Sequence, residues 1–416
     1  MSISKQFQLG DVEVKKITIS KPSGEKMDIS SQIVMISLYE DILCPYLIMD
    51  VEIRDSIGLL RTFPIIGEEI IELEFNTPGR KEYKTKLRVY TVEMGVASDT
   101  QTTQGYTLKC ISQEVFKDAI VNVEKGYKDN IHNMIADIIR NVLKSKKNIV
   151  HEPSKGIQHF AFTRKNPFEA INILRKRAAS QEHVTGGYYF FENKYGYNFN
   201  TLEGLMDNNK SHIGDKIFTR HQITTDNFQN PEEYRQILSY SVGTQFNTVS
   251  SLQLGALKGN HETFDILKKE FKQNPYTIHD FSKFKTAEKS GAVAPFGTDT
   301  IKEFGSDTAI FYYNISNSDM PDTYLNDTLM KKIAFTGIHL YGQIDLYCYG
   351  DSEMTIGDVI TLKIPRTDGT TKRVPSEEPL QNGNYIVTKM NHEIQFSTGT
   401  PKHTMTFTCI RGVYKQ

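Results

Sequence analysis

Ile66-Gly67-Glu68-Glu69-Ile70-Ile71-Glu72-Leu73 returns late in the chain, with one residue gapped, as Ile356-Gly357-Asp358-Val359-Ile360-Thr361-Leu362. Each copy is an Ile-Gly-acid turn entering an alternating strand. A second motif follows in the same order. Tyr106-Thr107-Leu108-Lys109-Cys110-Ile111 aligns without a gap to Met405-Thr406-Phe407-Thr408-Cys409-Ile410. Gly67 and Cys110 are 43 residues apart and Gly357 and Cys409 are 52 apart, a difference that hairpin loops absorb. Either motif alone is cheap; two in register predict a duplicated β unit. Glycine at 67 and 357 is read as a positive φ or a tight turn, with the following carboxylate solvated or capping.

Outward from these motifs the chain reads as alternating β and α+β stretches. IVMISLYE, YLIMDVEIRD, EEIIELEF, KTKLRVYTVEM and YTLKCIS, between Ile33 and Ser112, are short, partly alternating and rich in β-branched and aromatic residues, with a turn at Thr77-Pro78-Gly79. Ile70 is expected in the core of this unit. The period then changes: Ile131, Met134, Ile135, Ile138, Ile139, Val142 and Leu143 share one helical face. A second helix is expected from Asn166-Pro167-Phe168-Glu169, with Asn166 as cap and Glu169 closing a capping box, and with a stripe of Phe168, Ile171, Leu174 and Ala178. After Gly186-Gly187, YYFFEN and YGYNFN read as a hairpin. Strand-like pieces return in KIFTRHQIT and YRQILSYSV. Residues 255–330 are mixed and polar, with a helix expected over ETFDILKKEF and a loop from Ser290 to Asp299. The β pattern resumes after Met330 with IAFTGIHLYGQIDLYCYG, TIGDVITLKI, NYIVTKMNHEIQF and HTMTFTCIRG.

The 416 residues predict about three domains on length alone; the repeat raises the count to four pieces. These are a first tube-type β-barrel over 1–112, an α+β domain over 113–210, a second tube-type barrel from 211–254 and 331–416, and an inserted subdomain over 255–330. The fold class expected is mainly β with α+β insertions: two similar antiparallel β-barrel (tube-type) domains plus two smaller domains.

A formal net charge of −1 offers no basic field to collect polyphosphate, so specific nucleic-acid recognition is not expected. The balance is uneven along the chain: residues 1–100 carry a net of −4 and residues 101–210 a net of +5. With so little net repulsion, self-association is favoured. Cys44, Cys110, Cys348 and Cys409 form no CxxC or CxxH pair and read as buried free thiols in a reducing compartment. No apolar run approaches the ~18 residues of a membrane helix, so no membrane insertion is expected.

Motifs for phosphate cradles, nucleophile elbows, zincins and EF-hands are missing from the sequence. His392 in Lys389-Met390-Asn391-His392 is the most suggestive histidine, and a hydrogen-bonded structural role is expected for it. Glu192 could act as an acid, yet glycosidase chemistry needs a second carboxylate and the sequence places none with it. Glu68, Glu69, Glu72 and Glu74 read as a solvated strand face. The aromatic runs Tyr188–Phe191 and Phe311–Tyr313 are expected in core or interface packing. No catalytic, cofactor-binding or metal-binding residue is assigned, no cofactor is expected, and the chain is not expected to be an enzyme.

Several of these segments carry a resemblance. Ser37-Leu38-Tyr39-Glu40-Asp41-Ile42, Asp50 through Leu59, and Ile65-Ile66-Gly67-Glu68-Glu69 running to Phe75-Asn76-Thr77-Pro78 resemble the first tube domain of the central baseplate hub proteins of T4-like contractile phage tails. Asn166-Pro167-Phe168-Glu169-Ala170-Ile171, Arg177-Ala178, Tyr189-Phe190-Phe191-Glu192 and Thr201-Leu202-Glu203-Gly204-Leu205 resemble the next domain. Gly350-Asp351, Ile356 to Ile360, Pro365, and Gly383 to Lys389 with His392 resemble the second tube domain. The resemblance implies two similar β-barrels with two further domains in a ring-shaped homotrimer, adapting a six-fold tail tube to a three-fold central spike. The partners implied are the spike protein and the tail tube or its initiator, with the tape measure protein a further candidate. The place implied is the baseplate of the virion tail, assembled in the host cytoplasm.

The same fold begins the spike proteins of type VI secretion systems. Ending at Gln416, just after the second barrel's last strand, favours a separate hub subunit that recruits its spike as another chain. A hub subunit of a bacterial contractile injection system remains an alternative within this class. A tail-associated cell-wall hydrolase, or a carbohydrate-binding β protein using the aromatic runs, are alternatives from other classes.

Overall fold

The computed structural model describes residues 8–95, 104–183, 187–209, 215–220, 235–243, 258–277, 309–314, 316–317, 320–321, 343–364, 381–396 and 399–411, with single positions at 249, 253 and 332. The Ser290–Asp299 loop expectation lies outside the described residues.

The first half forms β1 (Glu13–Ser20), β2 (Lys26–Asp28), β3 (Ile33–Asp41), β4 (Ile48–Asp55), the single turn α1 (Leu59–Thr62), β5 (Ile70–Asn76), β6 (Tyr83–Met94) and β7 (Gln104–Ile111). Alternation puts Met49, Val51 and Ile53 of β4, Ile71, Leu73 and Phe75 of β5, and Leu108 and Cys110 of β7 into one core. Each such aliphatic or aromatic side chain stabilises the fold by roughly 1.5–3 kcal/mol. Ile70 is not among them: it is half-buried, on the opposite face of β5 from fully buried Ile71. Glu69 explains the parity. Instead of lying on a solvated face it is buried, its carboxylate accepting the N–H groups of Ile66, Gly67 and Glu68 at 2.9–3.1 Å. With Glu69 turned inward, strand alternation sends Ile70 outward and Ile71 inward. Glu72 and Glu74 do lie on the outer face, paired with Lys16, Lys86 and Lys84.

Next come α2 (Gln113–Ile120), β8 (Val123–Asp129), α3 (Ile131–Asp137), β9 (Ile149–His151), β10 (Gln158–Lys165), α4 (Pro167–Arg177), β11 (Tyr188–Asn193), β12 (Gly196–Thr201) and α5 (Leu202–Asn208). Helix α3 runs directly into a π-helical turn at Ile138–Val142. Six of the seven residues of its expected stripe are buried, and Val142 packs half-buried on the same cluster. The capping box expected at α4 does not form. The Asn166 side chain makes no cap bond, and Glu169 pairs with Lys165 across one turn. Asp118 of α2 takes the cap's place, accepting the Phe168 N–H at 2.7 Å. A tertiary carboxylate has displaced the local one. The hairpin of β11 and β12 is as expected, with Tyr188, Phe190 and Phe191 buried.

The second half forms β13 (Ile217–Thr219), β14 (Ile237–Val242), β15 (Lys258–Asp265), β16 (Glu270–Thr277), β17 (Ala309–Asn314), β18 (Ser316–Asn317), β19 (Met320–Pro321), β20 (Gln343–Tyr349), β21 (Val359–Lys363), β22 (Gly383–Gln395) and β23 (Lys402–Arg411). The helix expected over ETFDILKKEF is a hairpin of β15 and β16. The Asp265 carboxylate accepts the N–H groups of Leu267 and Lys268 at 3.0 Å, an Asx turn, and Lys269 takes a positive φ. Ile266 and Leu267, which a helix would bury, are exposed at the tip. Parallel β17 completes this small sheet; the side chains of Phe311–Tyr313 are outside the described set.

Both halves join in one 13-stranded sheet, and the fold is mainly β with α+β insertions as expected. Its two parts repeat one strand order: β3-β4-β7-β6-β5-β1 and β14-β20-β23-β22-β21-β13. The repeat holds to the residue. Val89 faces Cys110 as Val387 faces Cys409, and Met49 faces Cys110 as Ile344 faces Cys409. The register shifts at the same places too: between Val89 and Thr91 and between Val387 and Lys389, and again between Ile33 and Met35 and between Ile237 and Ser239. Gly67 and Gly357 both have positive φ, 95° and 84°, as the turn reading requires. The repeats differ at their last strand, since β1 is antiparallel to β5 whereas β13 is parallel to β21.

Candidate assembly surface

The two repeats meet strand to strand. The second part of β22, Lys389 to Gln395, runs antiparallel to β3, placing Lys389 opposite Asp41, His392 opposite Leu38 and Gln395 opposite Met35. Backbone bonds from Phe396 N–H to Val34 O and from Ile42 N–H to Thr388 O, both 2.8 Å, close the seam at either end.

Beneath the seam the segment from Gly350 to Asp358 takes contacts from all three parts of the chain. From the first repeat, the buried Glu40 carboxylate accepts from the Tyr83 hydroxyl and the Thr355 hydroxyl, each at 2.5 Å, and from Ile356 N–H at 2.9 Å. Burial raises its pKa against the pull of those donors. Thr77 N–H donates to Ser352 Oγ at 2.9 Å and Ser352 N–H to Thr77 Oγ1 at 3.0 Å. From the α+β part, Lys194 Nζ donates to the carbonyls of Ser352 and Glu353, and Asn209 Nδ2 to that of Gly357. The second repeat adds Arg235, whose Nε lies 2.9 Å from Asp351 Oδ2. Burial would raise the pKa of Asp351, but Arg235 and Arg80 outweigh it and hold the carboxyl below its usual range. Such a buried network of hydrogen bonds and ion pairs fixes one relative placement of the parts it joins.

His392 lies in this junction, 1% exposed, with Nδ1 3.1 Å from Nε2 of His403 and the ring edge-on to Tyr83 and Phe75. Burial, then the neighbouring His403, pushes its pKa well down, so it is a neutral imidazole in a closed interior. Glu192 is also buried, with Lys147 Nζ 2.7 Å from Oε1. The structure does bring a second carboxylate to it, Glu114, which shares Lys147 at 2.5 Å and accepts from Ser145 Oγ. Sequence spacing had no way to show this, because α2 and β11 meet only in the fold. Burial raises the pKa of Glu192, while that of Glu114 is lowered because Lys147 and its hydrogen bonds outweigh burial. Among the described residues no group of three His, Cys, Asp or Glu side chains is arranged to hold a metal ion. Cys110, Cys348 and Cys409 are buried free thiols and Cys44 is half-buried.

Among the open strand edges of the described residues, two belong to the strands that correspond to those of the seam. Beyond the bulge at Tyr90, Thr91–Met94 of β6 pair with β7 alone, and β14 ends the sheet with β20 as its neighbour. Among the described residues nothing pairs with the outer side of either, apart from one bridge between Thr219 and Gln236 just before β14 begins.

This curled, duplicated sheet with an α+β part between its repeats is a fold found in other solved structures. No family model matches the chain, and no curated protein matches it. Solved structures do. The tail protein from Neisseria meningitidis MC58 is similar over 95% of this chain and 96% of its own, at 8% identity and a TM-score of 0.56. The 43 kDa tail protein of prophage MuSo2 from Shewanella oneidensis is similar over 95% of this chain and 98% of its own, at 8% identity and a TM-score of 0.54. A prophage tail protein from Listeria monocytogenes EGD-e matches more loosely, over 97% of this chain and 95% of its own, at 9% identity and a TM-score of 0.48.

Proposed function

We propose that this chain is the structural hub of a contractile phage tail baseplate, a ring-shaped homotrimer that adapts the six-fold tail tube to the three-fold central spike. The observation that carries the reading is the repeat: one chain supplies two units of the same strand order and register, joined edge to edge. Three such chains present six similar units around an axis, which suits a six-fold partner on one face, while the assembly as a whole keeps three-fold symmetry for the other. Closed cyclic assembly of this kind also disposes of open strand edges. The likeness to the Neisseria and Shewanella tail proteins over nearly their whole length supports a place in the virion tail.

The spike protein and the tail tube or its initiator are the proposed partners. A scaffolding role is favoured over cell-wall hydrolysis by the state of Glu192 and Glu114, which are buried and share one lysine instead of flanking an open cleft. Light scattering on the purified chain tests the reading. Three copies of the 47.5 kDa protein in one particle, seen as a ring by electron microscopy, is the expected result. A stable monomer at micromolar concentration would overturn it.

A further inference from the structure

The open edges of β6 and β14 are related by the repeat to the two edges that pair inside the chain. On one side, His392 faces Met405 and Asn391 faces Thr406 across β22 and β23, as Met94 faces Tyr106 and Glu93 faces Thr107 across β6 and β7. Met94 of β6 therefore holds the position of His392 in β22. On the other side, Leu38 faces Met49 and Ser37 faces Asp50, as Val242 faces Ile344 and Ser241 faces Asp345. Val242 of β14 therefore holds the position of Leu38 in β3. Since His392 and Leu38 are partners in the internal seam, the same geometry assigns partners to Met94 and Val242.

We propose that the outer edge of β14 in one copy pairs antiparallel with the end of β6 in the next copy, with Glu93 opposite Gly243, Met94 opposite Val242 and Gly95 opposite Ser241. The proposal rests on the ring reading above and supplies its seam.

Backbone direction agrees independently. In an antiparallel ladder each residue aims both its N–H and its C=O to one side, and the side alternates. Gly95 N–H donates inward to Gly105 O, and Gly243 N–H inward to Gln343 O, both at 2.9 Å. The residues before them, Met94 and Val242, consequently aim outward, each toward the proposed partner. The internal seam follows the same rule. Its bonds at Phe396 with Val34 and Ile42 with Thr388 fall an even number of residues from His392 and Leu38, so that pair is hydrogen-bonded too. A slip of one residue in the proposed seam would set an outward group against an inward one.

The composition of the edges points the same way. Exposed strand edges are normally blunted by Lys, Pro or brevity. The far end of the sheet obeys, with the three-residue β2, Lys-Met-Asp. β14 reads Ile-Leu-Ser-Tyr-Ser-Val, six residues without a charge or a proline, and Thr91–Met94 carries a single acid. Met94 is 55% exposed. The pairing joins unlike edges, so it runs head to tail and either closes as a ring or extends as a filament; a second copy of this chain is the occupant that presents the complementary edge in register.

Paired cysteines test this. Hydrogen-bonded antiparallel partners have Cα atoms about 5.5 Å apart, within the ~4.4–6.8 Å span of a disulfide. Mild oxidation of an equimolar mixture of the Met94→Cys and Val242→Cys chains is expected to give covalent dimers, and the double variant to give dimers and trimers, with none from the wild type or from either variant alone. A trimer by light scattering that forms no such link, while an internal control pair, Tyr39→Cys with Asn391→Cys, oxidises within its own chain, would overturn the seam and leave the ring reading standing. A monomer would overturn both. Met94→Pro gives a second readout: it removes the outward N–H and spares the inward bonding of its neighbours. The expected product is a folded monomer with unaltered circular dichroism, and a retained trimer would again overturn the seam.

Discussion

Nδ1 of His392 lies 3.1 Å from Nε2 of His403 in an interior where neither ring reaches solvent. The charged groups near the pair are Lys194, which opposes protonation of His392, and Asp351, which favours that of His403. Burial dominates at both, and His403 is pushed down to about 4. A histidine whose folded pKa lies below its unfolded value of 6.5 contributes stability that is complete above pH 6.5 and is lost as pH falls toward 4. For His403 alone the loss is on the order of 3 kcal/mol. Urea unfolding of the wild type at several pH values between 7 and 4, set against His403→Asn, checks this. The variant is expected to show a flatter dependence over that window; identical slopes would mean that the pair is not held neutral.

Gly350 is packed against the same ring. A Cβ there would stand 1.9 Å from Cγ of His403, and the backbone is pinned by the bond from Gly350 N–H to His403 O at 2.8 Å. Gly350→Ala is expected to cost about 3 kcal/mol or more, since neither side can give way. Gly126 of β8 has open space at its Cβ, so Gly126→Ala should change stability by less than about 1 kcal/mol. Denaturant midpoints of the two variants make the comparison, and equal midpoints would refute the packing argument.

The parts of this fold that were legible in the sequence are those governed by local period. The strands around Val51 and Leu108, the stripe from Ile131 to Leu143 and the two-motif repeat all follow from alternation or helical spacing. What escaped was settled by contacts distant in sequence. Asp118 replaces Asn166 as the cap of α4, and Glu114 reaches Glu192 through Lys147. The 262–271 stretch follows turn chemistry at Asp265 over helical spacing. The junction itself gave little warning, since its members, Glu40, Thr77, Asp351 and His403, are single polar residues in separate strands and turns. Gly350-Asp351 is marked only by the resemblance, and Thr77-Pro78 otherwise only as part of a turn.

The parity of β5 yields a paired test. Ile71 is fully buried and Ile70 is on the outer face beside charged neighbours. Ile71→Asp leaves a charge without a partner in the core and is expected to destabilise by about 4 kcal/mol or more, enough to abolish cooperative folding. Ile70→Asp should retain a cooperative transition. Thermal melts followed by circular dichroism distinguish the two; the opposite order would reverse the facing of the whole strand.

His183 responds to pH in the opposite sense to His403. Its Nδ1 lies 2.7 Å from Oε1 of the buried Glu152 and its Nε2 2.9 Å from Oδ2 of Asp207. The hydrogen bond to Glu152, and then that to Asp207, outweigh burial and raise its pKa to about 9. A folded pKa above the unfolded 6.5 means that the stabilisation is complete below pH 6.5 and is lost as pH rises through 9. Glu152 also accepts from the N–H and hydroxyl of Thr201 and from Ser180, so it ties β12 and the start of α5 to the loop carrying His183. Between pH 7 and 9.5 the wild type should lose stability that His183→Gln does not lose, because glutamine keeps a donor without titrating. The imidazole resonances of His183 should titrate near 9 by NMR; a midpoint near 6.5 would show that the pair with Glu152 is not formed in solution.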